Sequence, residues 1–122
     1  MKYILNSGLY TLEPKIKNVT KGHLAILSTP GVAHVCNRIS DRLQEANKLT
    51  IRGNSIALVT RGHLLNGNGR MVLPLMDWIV AQIKFYANVD CYPFVIREDS
   101  PLSDVLSDLS NSYSGALFLD HE

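Results

Sequence analysis

The sequence is poor in charge and carries almost no excess of either sign. Charged residues make up 19% of the 122 residues, against roughly 25% in an average globular domain. Twelve Lys and Arg residues against eleven Asp and Glu residues leave a net charge of +1, which provides no strong field for duplex DNA or an anionic membrane. A small anionic ligand is still compatible with this charge, because a pocket needs only a few well-placed donors.

Cysteine and long apolar runs are also scarce. Cys36 and Cys91 are the two cysteines and form no CxxC pair, so we predict neither a disulfide framework nor a zinc site. The histidines lack metal-ligand spacing, and we predict no metal and no cofactor. No apolar run approaches the roughly 20 residues of a membrane-spanning helix, and no signal-peptide core follows Met1. We therefore expect a cytoplasmic protein, in the host cytoplasm if a virus encodes it.

The length and the hydrophobic content predict a single domain over residues 1–122. Hydrophobic residues make up 46% of the chain, and a chain of this size buries roughly two-thirds of its unfolded surface in one core. A lightly charged surface is typical of a protein that a partner partly covers, and a homodimer would be one way to cover it.

Short β-prone runs alternate with amphipathic segments along the chain. We predict strands over 3–5, 23–27, 48–52, 55–60, 92–96 and 116–119, with a further short one over 9–12 and a hairpin joining 48–52 to 55–60. Two longer amphipathic helices are predicted, from Ser28 to about Ala46 and from Pro74 to Ala87, with a short helix after Pro101. The fold class is α/β or α+β, with a mixed sheet of about five to six strands packed against these helices. The sequence leaves open whether strands 55–60 and 92–97 run parallel.

Two places could carry chemistry. Ser28, Thr29 and Gly31 begin the first helix, where free N–H groups and partial positive charge suit a phosphate, although ordinary helix caps use the same residues. Arg61 and His63 follow a buried strand; Arg61 could clamp a phosphate and His63 could move a proton near neutral pH. The alternative for this second pair is a solvent-exposed loop with no role.

The opening Met1-Lys2-Tyr3-Ile4-Leu5-Asn6-Ser7 resembles the start of the viral ring nucleases that counter type III CRISPR defence, and of their bacterial YddF-like relatives. Segments 25–30, 47–51 and 56–59 are similar to that family's strand-to-helix junction and later strands, so the resemblance covers roughly residues 1–65. It implies a homodimer that encloses a cyclic oligoadenylate and releases linear products, and it adds Asn6 and Ser7 to the ligand-binding residues.

One departure from the family leaves catalysis open. The family's catalytic histidine falls at or beside Thr29, which cannot act as a general acid at neutral pH. His63 or His34 could substitute and give a metal-independent phosphodiesterase, or the protein could bind the messenger as a sponge. Our sequence-based hypothesis is a dimeric binder of a cyclic oligoadenylate in antiviral defence. The alternatives are a small protein-interaction or inhibitor module, and a small doubly wound α/β enzyme of unknown substrate, which parallel pairing of 56–59 with 94–96 would favour.

Overall fold

The computed structural model describes residues 9–15, 17–18, 20–62 and 69–120. In these ranges the chain forms five α-helices, two short 3-10 helices and three β-strands. The helices are α1 (Lys21–Leu27), α2 (Thr29–Asp41), α3 (Ala46–Leu49), α4 (Gly69–Ala87) and α5 (Leu102–Ser112), and the 3-10 helices span Leu43–Glu45 and Ile51–Asn54. The strands are β1 (Ser55–Thr60), β2 (Asp90–Val95) and β3 (Gly115–Phe118).

The three strands form one parallel sheet with β1 in the centre and the order β2-β1-β3. Val59 of β1 lies opposite Phe94 on one side and Phe118 on the other. The chain passes from β1 to β2 through α4, and from β2 back across β1 to β3 through α5. The first connection places β2 on one side of β1, and the second places β3 on the other side. Where the strand order reverses in this way, a crevice is expected between the carboxyl ends of β1 and β3, and such sheets bind ligands there.

The core lies between β1, the start of β2 and one face of α4. Leu58 and Met76 are completely buried, and Val80 and Cys91 are each 5% exposed. The stripe predicted from the spacing of apolar residues along the second helix is confirmed for Met76, Ile79, Val80 and Ile83, which belong to this cluster or pack against it. Ala87, the last residue of the predicted stripe, is exposed. β1 is buried along almost all its length, as expected of a central strand in a parallel sheet.

The α/β class is confirmed, but the predicted mixed sheet of five to six strands is wrong for the described residues. The strands predicted near 55–60, 92–96 and 116–119 are present, and all pairings are parallel. Residues 9–12 form no regular secondary structure, and the strand predicted over 3–5 lies outside the described residues. Parallel pairing follows from the helical crossovers, since each returns the chain to the same end of the sheet.

The strand predicted over 23–27 is wrong, because this segment is the helix α1. Thr20 and His23 form a capping box: the His23 N–H donates to Thr20 Oγ1, and the Thr20 N–H donates to His23 Nδ1, each at 3.2 Å. This reciprocal pair satisfies donors that the first helical turn leaves free. Local capping thus outweighs the β-propensity of the apolar run.

The hairpin predicted from 48–52 to 55–60 is also wrong, because the first of these segments curls into α3 and a 3-10 helix. The Arg52 N–H donates to Thr50 Oγ1 at 3.2 Å, and Arg52 Nη1 donates to Asn47 Oδ1 at 2.6 Å. Gly53 lies so close to this turn that a Cβ there would stand 1.7 Å from the Asn47 carbonyl oxygen. Only glycine fits this approach, so here it marks a compact turn rather than a hairpin loop.

Two predicted helix boundaries move. The first long helix begins after Ser28 as predicted but ends at Asp41 rather than near Ala46, because Arg42 is extended, with φ −142°. The second begins at Gly69 rather than at Pro74, since a proline inside a helix removes one hydrogen bond without excluding further turns before it. Within the described ranges, no helix has the length and apolar character needed to cross a bilayer.

Candidate functional site

The carboxyl ends of β1 and β3 are joined by the side chain of Asp120. Thr60 Oγ1 donates a hydrogen bond to Asp120 Oδ1, and the Arg61 N–H donates to Asp120 Oδ2 at 2.8 Å. Thr60 is completely buried and Asp120 is 9% exposed. A buried carboxylate is stable only where hydrogen bonds compensate its lost hydration. Asp120 is therefore a positioning residue that holds the start of the loop after β1 against the end of β3.

Gly62 completes this turn. Its N–H donates to Thr60 Oγ1 at 2.9 Å, so the Thr60 hydroxyl accepts one hydrogen bond and donates another. Gly62 has φ 87° and is buried, and this left-handed conformation strongly favours glycine. The turn fixes the backbone directly after β1 and so determines where Arg61 lies at the carboxyl edge of the sheet.

Arg61 is anchored on two sides. Its Nη2 donates to the Ser100 carbonyl oxygen at 2.7 Å, and its Cζ lies 5.9 Å from the centroid of the Phe118 ring, within the range of a cation–π contact. Its Nε is buried and has no hydrogen-bond partner among the described residues. Arg61 thus presents a fixed guanidinium with an unused donor, a group suited to a carboxylate or a phosphate.

The ligand-binding roles predicted for Ser28, Thr29 and Gly31 stay predictions. Ser28 is the N-cap of α2, Thr29 is its first residue and Gly31 follows within the first turn. None of the hydrogen bonds of Arg61 described above involves them. His63, Asn6 and Ser7 lie outside the described residues, so the catalytic role of His63 stays a prediction. The predicted homodimer also stays a prediction; α2, on which Val32 is 54% exposed, contains no buried residue.

Sequence reasoning placed Thr60 at this edge, in the segment 60–63 that ends a buried strand, but it did not identify Asp120 or Ser100 as contributors. Asp120 had one usable signal, since it follows the correctly predicted strand β3 and so had to lie at the carboxyl end of the sheet. Its pairing with Thr60 spans 60 residues and depends on the strand order, which the sequence did not reveal. Among the described residues, no three His, Cys, Asp or Glu side chains are grouped so as to hold a metal ion.

The chain is similar to malic enzymes. The "NAD-dependent malic enzyme" of Rhizobium meliloti is 31% identical over 116 residues, which cover 88% of this chain and 15% of the relative. The "NAD-dependent malic enzyme" of Geobacillus stearothermophilus is 28% identical over 114 residues, which cover 88% of this chain and 24% of the relative. The crystal structure of malic enzyme from Pyrococcus horikoshii superposes with a TM-score of 0.79 at 26% identity, over 91% of this chain and 27% of that one. No family model matches the chain.

These comparisons overturn the resemblance to ring nucleases. Relatives and solved structures that align over most of the chain are malic enzymes, so the cyclic oligoadenylate, the CRISPR-related role and the phosphodiesterase chemistry are wrong. The alternatives of an interaction module and of a small doubly wound α/β enzyme of unknown substrate are not favoured either. The motifs that suggested a ring nuclease are only a few residues long, and short strand and cap patterns recur in unrelated α/β folds. The chain spans about a quarter or less of the length of these malic enzyme relatives.

Proposed function

We propose that this chain is the substrate-binding part of an oxidoreductase of the malic enzyme type, and that Arg61 binds a carboxylate of malate or a similar small dicarboxylate. The observation that carries the proposal is the anchored Arg61 guanidinium at the carboxyl edge of the sheet, with its Nε buried and unpaired among the described residues. The similarity to malic enzymes over most of the chain supports the choice of ligand. A cytoplasmic location is part of the same proposal.

The Arg61 guanidinium suits one carboxylate of such a ligand for a physical reason. A guanidinium forms two parallel hydrogen bonds with a carboxylate, and each is stronger than a neutral hydrogen bond. An unpaired buried donor such as Nε costs about 1–3 kcal/mol, so a carboxylate oxygen that reaches it would remove a cost already present in the free protein. The Ser100 and Phe118 contacts hold the side chain in place, which reduces the entropy that ligand binding must remove.

Asp120 contributes to this site indirectly. Both of its carboxylate oxygens accept hydrogen bonds, from the Thr60 hydroxyl and from the Arg61 N–H. Its role in the proposal is to set the direction in which Arg61 leaves β1. A substitution of Asp120 should therefore weaken ligand binding by displacing Arg61 rather than by removing a ligand contact.

The nicotinamide dinucleotide named for the relatives does not fit the residues described here. A dinucleotide-binding βαβ unit carries G-x-G-x-x-G where the helix follows the strand. Between β1 and the first turns of α4, this chain has Gly67 and Gly69 but Val72 at the position of the third glycine. Val72 is 1% exposed and belongs to the core cluster, so its side chain occupies the place where that motif needs close helix–strand packing. We assign no dinucleotide contact to this chain and no redox step to its residues.

Isothermal titration calorimetry with L-malate tests the proposal. We expect saturable binding by the wild-type chain, weakened more than about tenfold in Arg61→Ala, which corresponds to about 1.4 kcal/mol. Arg61→Lys should retain an intermediate affinity, because lysine keeps the charge but not the paired donors. Arg97→Ala is the matched control, since the Arg97 side chain is 85% exposed and pairs only loosely with Asp99, at 3.6 Å.

One further titration and one unfolding measurement complete this test. NAD⁺ should give no binding heat with the wild-type chain, and thermal unfolding should show that each variant is folded at the titration temperature. No saturable malate binding, or equal affinities in Arg61→Ala and Arg97→Ala, would remove the proposal.

A further inference from the structure

A cavity lies beside β2, the edge strand on the other side of β1 from β3. Its volume is about 330 Å³, and it lies between residues 9–12, the second half of α4 and the first residues of β2. Residues that contribute to its wall include Tyr10, Leu12, Val80, Ala81, Cys91 and Tyr92. Pockets of about 300–1,000 Å³ with a mainly apolar lining and a few polar groups are typical of small-molecule sites.

The charged groups at this cavity compensate each other. Lys84 Nζ lies 2.9 Å from Asp90 Oδ1, and both residues line the cavity. An ionic ligand would have to compete with an ion pair that is already formed, and it would lose hydration on entering an apolar space. The cavity therefore favours a ligand without net charge.

The aromatic lining and the tyrosine hydroxyls narrow the ligand class further. Burial is the main cause that raises the pKa of Tyr10 and of Tyr92, so both phenols stay protonated at neutral pH. A protonated phenol can donate a hydrogen bond to a neutral acceptor. Tyr10, Tyr92 and Phe85 are among the residues that line the space, and aromatic rings favour edge-to-face or offset contacts with another ring.

We propose that this cavity is a binding site for a neutral aromatic molecule that carries a hydrogen-bond acceptor such as a carbonyl group. The site is separate from the dicarboxylate site proposed above, because it lies at the amino end of β2, whereas Arg61 follows the carboxyl end of β1. A negative result at one of these sites therefore leaves the proposal for the other site unchanged.

The probe for this test is 6-propionyl-2-(dimethylamino)naphthalene, a neutral aromatic ketone whose fluorescence shifts to shorter wavelength in an apolar site. We expect saturable one-to-one binding to the wild-type chain with a micromolar dissociation constant. Ala81→Trp should weaken binding more than about tenfold by filling the cavity, since loss of the apolar contact removes at least about 1.4 kcal/mol. Ala87 is exposed on the same helix and is not part of the cavity lining. Ala87→Trp is therefore the matched control and should bind the probe as the wild type does.

A second pair of variants and two other ligands test the same cavity. If Ala81→Trp does not fold, Ala81→Leu with Ala87→Leu as its control makes the same comparison with a smaller added volume. An anionic naphthoate should bind more weakly than the ketone, and L-malate should not displace the ketone from the cavity. Absence of saturable binding, or equal binding by the two tryptophan variants, would overturn the proposal. So would sedimentation showing a dimer that excludes the probe, because the occupant would then be a second copy of the chain.

Discussion

Thr60 and Asp120 are 60 positions apart in the chain and share a buried hydrogen bond between the carboxyl ends of β1 and β3. The same carboxylate accepts the Arg61 N–H at 2.8 Å, and the same hydroxyl accepts the Gly62 N–H at 2.9 Å. One side-chain pair therefore satisfies two backbone donors where β1 ends. The candidate site depends on this small network, because it determines where Arg61 emerges.

Asp120→Ala should lower the free energy of unfolding by about 2–3 kcal/mol, because the part-buried Arg61 N–H loses its acceptor and the buried Thr60 hydroxyl loses the acceptor of its proton. Asp120→Asn keeps the shape of the side chain but removes its charge, and it should lower the free energy of unfolding by less than Asp120→Ala does. Urea unfolding followed by circular dichroism measures both. Asp99→Ala is the control, since the Asp99 side chain is 79% exposed, and it should change stability by less than about 0.5 kcal/mol. Equal effects of Asp120→Ala and Asp99→Ala would contradict the role assigned to Asp120.

Gly62→Ala should lower the free energy of unfolding by about 1–2 kcal/mol, because residue 62 has φ 87° and a Cβ is unfavourable in the left-handed region. Gly115→Ala provides the comparison: a Cβ there meets no atom within 4 Å, and the backbone is not left-handed. This second change should be close to neutral. Thermal unfolding of the two variants side by side distinguishes them, and an unfolding midpoint for Gly62→Ala at or above that of Gly115→Ala would count against the turn geometry.

The two free thiols should differ in reactivity. Cys36 is exposed and Cys91 is buried; burial, with a smaller contribution from the Asp90 charge, raises the pKa of the Cys91 thiol. The thiolate is the reactive form. A disulfide reagent such as dithionitrobenzoate should therefore modify Cys36 rapidly at pH 8 and Cys91 slowly. Cys36→Ser should abolish the rapid phase and Cys91→Ser should retain it. Two equally rapid phases in the wild type would show that Cys91 is accessible.

Stability should fall in alkaline solution, and Cys91 should account for part of the fall. Its folded pKa is raised, so its contribution is fully present below the pKa of the unfolded thiol and is lost as the pH rises through the folded value. The free energy of unfolding, measured in urea from pH 7 to pH 10, should therefore decrease less steeply in Cys91→Ala than in the wild type. Cys36→Ala is the matched control with an exposed thiol and should keep the wild-type slope. A steeper slope in Cys91→Ala would contradict the assigned sign.

Helical periodicity was the most informative local signal in this sequence. The stripe that includes Met76, Ile79 and Val80 was identified from spacing alone, and these residues face the core. Periodicity is a property of one helix and needs no knowledge of the partner that covers it. The same reasoning failed for residues 23–27 and 48–52, where short apolar runs are compatible with either a strand or a helical turn.

Local hydrogen bonds determine the backbone conformation of segments 23–27 and 48–52. The Thr20–His23 capping box and the contacts of Arg52 with Thr50 and Asn47 favour curled backbone over extended backbone. Histidine at the third helical position is not the Glu or Gln of the usual capping-box pattern, so sequence inspection did not detect it. The family resemblance failed for a related reason, since short strand and cap motifs recur in many α/β folds.

The sequence by itself determined the α/β class, the positions of all three described strands, the stripe of α4 and the placement of Arg61 after a buried strand. These features are encoded by hydrophobic spacing and by proline and glycine positions within one segment. Only the tertiary structure decided that β1 is central, that all its pairings are parallel, and that Asp120 meets Thr60 at the carboxyl edge. Strand order depends on which distant segments bury one another, and that choice is made by packing across the whole sheet rather than by any local pattern.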